Sequence, residues 1–189
     1  MDSFRRFLRL LLLIVSVSFI SVSAQKTELK PDTALLSATL AKAADAQPDT
    51  AILLYNTAIQ TAEKYLKNGG GKAYKEAVKR KLIRARLGLG LAFYNRIEYS
   101  KALDAYQLAL KEAEDLGDTM LVAESNFNIA EVYLEQSQFA NAMEFYNLSL
   151  SGYEKINDNV NQFWCYTGMG IVQKQCGNYR NAVEFYNKA

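Results

Sequence analysis

The sequence predicts an all-α fold in which helical hairpins stack into a solenoid, and three observations carry that prediction. Half of the 189 residues are apolar, Gly and Pro number only 10 and 2, and helix-forming Ala, Leu, Glu, Lys and Gln are plentiful. A pattern of small and aromatic residues recurs at a constant step of 40 residues through the C-terminal part of the chain. Turn signals recur at the same step: Gly117-Asp118 and Asn157-Asp158 each offer a residue suited to positive φ and then a helix-capping side chain. A chain of this length and apolar content can bury a substantial core.

Residues 1–24 are of a different kind. Arg5, Arg6 and Arg9 precede an apolar run from Leu10 to Ile20, and Val22-Ser23-Ala24 supplies small residues at which a signal peptidase cuts. The segment therefore reads as a signal peptide, with the mature chain expected to begin at Gln25 in the periplasm or outside the cell. The apolar run is shorter than the roughly 20 residues that span a bilayer. Removing the segment leaves 19 basic against 19 acidic residues, and a neutral mature chain gives no general reason to expect nucleic-acid binding.

Residues 25–71 read as a degenerate first hairpin followed by a Gly-rich turn. Pro48 and Asp49 suit the first turn of a helix, and Ala51, Tyr55 and Ala58 set a small, aromatic, small spacing. Asn68-Gly69-Gly70-Gly71 then breaks the chain. With no preceding strand and no Gly-Lys-Ser/Thr ending, it reads as a turn rather than a phosphate loop.

Residues 72–189 hold three tandem copies, with hairpins expected over 72–116, 119–156 and 159–189. The 40-residue step connects Ala102, Ala142 and Ala182; Tyr99, Phe139 and Tyr179; Tyr106, Tyr146 and Tyr186; and Ala109, Ser149 and Ala189. Upstream it connects Gly90, Ala130 and Gly170. Small residues in one helix let a second helix approach closely, and the aromatics fill the gap between hairpins. This pattern resembles the tetratricopeptide repeat, in a form longer than the usual 34 residues or so. Arg86 and Asn126 stand where that family often has a large apolar residue, and Gln173 departs from Phe93 and Tyr133. The third copy stops at the equivalent of Ala109 and Ser149, so the chain is expected to be the front piece of a longer protein.

The resemblance implies a right-handed superhelix whose concave surface is lined by the first helix of each pair. The inward positions would be Arg84, Leu87, Leu91, Tyr94 and Asn95; then Glu124, Phe127, Glu131, Leu134 and Glu135; then Trp164, Thr167, Ile171, Lys174 and Gln175. Some relatives clamp a peptide carboxylate with Lys and Asn, but the corresponding positions hold Leu87, Phe127, Leu91 and Glu131. An extended or helical segment docking on apolar anchors suits this row better.

No histidine occurs, which excludes Ser-His-Asp and Cys-His machinery and the His-containing zinc motifs. No catalytic residue, cofactor or metal is therefore expected. The sequence reads as a non-catalytic scaffold or sensor region that binds a protein or peptide segment, with no nucleic acid as partner. Its alternative is the N-terminal extracytoplasmic sensor fragment of a longer histidine kinase or DNA-binding regulator, meeting the membrane only through a downstream segment. Lys72, Lys75, Lys79, Arg80, Lys81, Arg84 and Arg86 form a basic stretch that reads as a solvated helix face, or else as a site for an anionic partner. Cys165 and Cys176, roughly 16 Å apart along one helix, are too distant to bridge and read as small core residues. Asn147-Leu148-Ser149 matches a glycosylation acceptor, but Ser149 falls on a packing position.

Overall fold

A computed structural model describes residues 33–189, and their regular structure is entirely helical. The elements are α1 Thr33–Ala44, α2 Pro48–Lys67, α3 Lys72–Asn95, α4 Tyr99–Leu116, α5 Thr119–Glu135, α6 Phe139–Lys155, α7 Asn159–Gln175 and α8 Tyr179–Lys188. The signal peptide expected at 1–24 lies outside the described residues. Among the described residues no helix is long and apolar enough to cross a membrane.

The helix ends follow from local sequence. Pro48 opens α2, where its missing N–H would have had no partner, and Asp49 follows in the first turn. The Asp118 and Asp158 carboxylates cap α5 and α7, accepting from the backbone N–H of Leu121 at 3.3 Å and of Asn161 at 3.1 Å. Left-handed residues recur every 20 positions, at Ile97, Gly117, Ser137, Asn157 and Gly177. After each, the next N–H reaches back five residues: Glu98 to Phe93 at 3.0 Å, Asp118 to Ala113 at 3.1 Å, Gln138 to Tyr133 at 2.8 Å, Asp158 to Tyr153 at 3.0 Å and Asn178 to Gln173 at 2.9 Å. One helix plus one such turn occupies 20 residues, and a hairpin therefore repeats after 40.

Each helix packs on the next in the chain. In addition α1 touches α3, α3 touches α5 and α5 touches α7, whereas α2, α4, α6 and α8 do not touch one another among the described residues. The first helices thus form the inner row of a curved stack and the second helices its outer row.

Tyrosines fix the spacing. A Cβ added at Gly90 would lie 2.4 Å from the Tyr106 ring, and one at Gly170 would lie 2.4 Å from the Tyr186 ring, both contacts within a hairpin. Between hairpins, a Cβ at Gly88 would lie 2.2 Å from Tyr55, and one at Gly168 would lie 2.4 Å from Tyr146. Ala130 shares a core cluster with Tyr146. The expected pairing of small first-helix residues with second-helix tyrosines is what the fold contains.

Two departures from the repeat pattern have physical explanations. Arg86 replaces an apolar residue because its guanidinium donates to Glu112 on α4 at 2.9 Å and to Glu63 on α2 at 3.1 Å, tying the first hairpin to the second. Ser149 replaces Ala109 because its hydroxyl donates to the Ala123 carbonyl at 2.9 Å and accepts from the Cys165 thiol at 3.4 Å. Burial pushes that thiol up to about 11, which leaves Cys165 protonated and unreactive. The expectation of a core position fails for Cys176, which is exposed because it sits at the C-cap of α7, where the chain turns away.

Ile97 has a conformation that its side chain opposes. It is β-branched, sits at φ 63° and is 72% exposed, so the left-handed backbone costs free energy with little burial in return. Ile97→Asn, which copies the left-handed Asn157 of another turn, should stabilise the chain by about 1 kcal/mol. Urea unfolding would check this, and an unchanged or lowered midpoint would contradict it.

Candidate partner-binding groove

The 40-residue step aligns side chains across the inner row. Arg84, Glu124 and Trp164 form one line, Gly88, Asn128 and Gly168 a second, and Leu91, Glu131 and Ile171 a third. At the N-terminal end α1, α3 and α5 enclose a cleft of about 730 Å³. Leu40, Tyr55, Leu87 and Leu91 are among its apolar lining, and Arg80, Lys81, Arg84, Glu124 and Asn128 among its polar groups.

Four of the sequence-predicted residues, Arg84, Leu87, Leu91 and Glu124, meet in this cleft. Their roles differ. Leu91 is 50% exposed and open to a ligand, while Leu87 is 4% exposed and forms floor. Phe127 turns inward: its ring meets Tyr146 edge-on, with centroids 5.8 Å apart and planes at 65°. Half-buried, it packs against the core beneath the inner row. Leu134 is buried.

The remaining predicted residues lie further along the inner row. Tyr94 has its ring centroid 5.8 Å from that of Tyr99, and burial, with the charges of Glu135 and Glu131 nearby, pushes its pKa up to about 12. Glu131 accepts a hydrogen bond from the Tyr146 hydroxyl. Trp164 is 51% exposed and stacks edge-on with Phe163, centroids 5.0 Å apart. Ile171 is half-buried on α7, and Lys174 is exposed in its last turn.

Sequence reasoning missed Ser37 and Leu40 on α1, and Asn128 on α5, all of which line the cleft. Asn128 was within reach, because it lies one helical turn beyond Glu124 on the same stripe. The α1 residues were not, since the first hairpin lacks the register that placed the others. The basic stretch does not form one solvated face. Arg80, Lys81 and Arg84 line the cleft, Arg86 enters the ion-pair network, and Lys72, Lys75 and Lys79 lie together on another side of α3.

The charges of the cleft are unequally satisfied. Arg80 pairs with Asp118 at 2.8 Å, Lys81 donates to the Ser37 hydroxyl, and Arg84 has no carboxylate at ion-pair distance among the described residues. Burial raises the Glu124 pKa, against the opposing pull of Arg84. Burial likewise raises that of Glu131, against the Tyr146 hydrogen bond.

The sequence model of the tetratricopeptide repeat family matches residues 119–189. These residues are tetratricopeptide repeats. The tetratricopeptide solenoid is shared by several solved structures. RapI in its apo form has a TM-score of 0.69 at 17% identity, over 92% of this chain and 45% of RapI. Aspartyl phosphate phosphatase F from Bacillus subtilis has a TM-score of 0.70 at 17% identity, over 84% of this chain and 39% of that protein. BtubC from P. vanneervenii has a TM-score of 0.57 at 17% identity, over 87% and 72%. The chain thus spans less than half the length of the first two. At this identity the likeness is one of fold. No curated protein sequence matches the chain.

Two half-buried carboxylates on the inner row, Glu124 and Glu131, give a pH prediction. Their folded-state pKa values are raised, so the native state binds protons more tightly than the unfolded chain. They favour folding most when protonated, and this contribution falls as pH rises from the ordinary Glu value, about 4.3, through the raised native values. The double variant Glu124→Gln/Glu131→Gln cannot ionise at either position. Its stability relative to the parent should therefore increase with pH across that window, as measured by urea unfolding at several pH values. A variant stability that, relative to the parent, stays constant or falls as pH rises would contradict the desolvation of these groups.

Proposed function

We propose that this chain is a non-catalytic binding region that holds a protein or peptide segment along its concave face. The observation that carries this reading is the exposure of Leu91 and Trp164, at 50% and 51%, on the inner row of first helices. An inward apolar side chain left half open beside a cleft supplies the kind of contact that dominates protein recognition. Glu124, Glu131 and Glu135 on α5 then add polarity and orientation more than affinity.

The pattern of residues 1–24 supports export of this binding region, so that the groove would meet its partner outside the cytoplasm, as an adaptor or as the sensing part of a longer signalling protein. Its similarity to a protein named a phosphatase does not bring a reaction with it, because fold alone does not specify chemistry.

Leu91→Ala and Trp164→Ala should each weaken binding of a purified partner by about 1–3 kcal/mol while leaving the melting temperature within a few degrees. Exchange of Glu124, Glu131 and Glu135 for Gln should change mainly the salt dependence and the association rate. Isothermal titration at two salt concentrations checks both. Undiminished binding by both apolar truncations would move the interface off the concave face.

A further inference from the structure

We propose that the α1–α3 end of the groove takes an apolar protein segment bearing side-chain carboxylates, with Lys81 and Arg84 receiving the carboxylates and Leu91 and Leu40 the apolar side chains. This inference rests on the groove reading above and adds the chemistry of the occupant. Three cations line the cleft against one carboxylate, Glu124. Arg80 is already neutralised by Asp118 at 2.8 Å. Among the described residues Lys81 bonds a neutral hydroxyl, that of Ser37, and neither Lys81 nor Arg84 has an ion-pair partner. Two cations three positions apart on one helix face the same side, at a separation of about 5–6 Å, and a guanidinium holds a carboxylate through two parallel hydrogen bonds.

The acids of the groove are placed differently. Glu131 accepts from Tyr146 and Glu135 lies close to Tyr94, so part of the hydrogen-bonding capacity of Glu131 is met from within the protein. Their negative charge and that of Glu124 repel a ligand carboxylate that reaches α5. The acidic part of the occupant is thereby confined to the α1–α3 end, and the part that crosses α5 is neutral or basic. A nucleic-acid backbone, carrying phosphate throughout, does not fit such a groove.

The test uses two fluorescein-labelled peptides, blocked at both ends so that no terminal carboxylate is present: one alternates leucine with glutamate, the other leucine with glutamine. Fluorescence anisotropy with the purified chain should give at least tenfold tighter binding of the glutamate peptide at low salt. That preference should fall to within about twofold in Lys81→Gln/Arg84→Gln and should rise in Glu124→Gln, with circular dichroism confirming that each variant is folded. Equal binding of the two peptides, with both weakened by Leu91→Ala, would overturn this proposal and keep the groove. A preference that survives the double Gln exchange would also overturn it, by placing the acidic contact elsewhere. Binding of neither peptide would overturn it together with the groove reading. Binding only to vesicles containing phosphatidylserine would replace it with a membrane surface.

Discussion

The structure depends on a tyrosine ring pressed against a first helix at positions that are glycine in the first and third copies. Tyr106 and Tyr146 are almost fully buried, and each brings a large apolar surface into the seam between helices. Removal of a Cβ from the facing position lets the ring lie directly on the main chain, which draws the two helices together and fixes their relative height. Because the contact occurs both within a hairpin, as at Gly90 and Gly170, and between hairpins, as at Gly88 and Gly168, one kind of interaction sets both spacings of the solenoid. Nearest-neighbour contacts of this sort are what make a repeat array additive along its length.

The groove is a consequence of that spacing. With the first helices drawn into contact and the second helices kept apart, the inner row presents one residue from each turn of each first helix. The tyrosines also couple core to groove: the Tyr146 hydroxyl emerges on the inner side and bonds Glu131, so a carboxylate at a position that is Leu or Ile in the neighbouring copies has a partner. The groove is consequently non-uniform, with cations on α3, acids on α5 and an open aromatic pair on α7.

Much of this was legible in the sequence because the repeat is regular. The 40-residue register of alanines, tyrosines and small residues gave the hairpins, and the capping residues Asp118 and Asp158 gave their starts. The turns were only partly legible, since Gly117 and Gly177 advertise a left-handed backbone whereas Ile97 and Ser137 adopt it with no sequence sign. The site was read less well for a related reason. A 3.6-residue stripe identifies inward positions but not depth, so Phe127 and Leu87, which pack against the core beneath the inner row, were grouped with Leu91 and Trp164, which open to solvent. Arg86 looked like a flaw in its repeat because its partners Glu63 and Glu112 are remote in sequence.

The central claim is that tyrosine against a bare backbone sets the spacing between hairpins. A double-mutant cycle joining Gly168→Ala and Tyr146→Leu, followed by urea unfolding, tests it most directly. The account predicts that Gly168→Ala costs about 1–3 kcal/mol beside the native ring and much less once the ring is gone, a coupling of at least about 1 kcal/mol. Strictly additive effects of the two substitutions would contradict it.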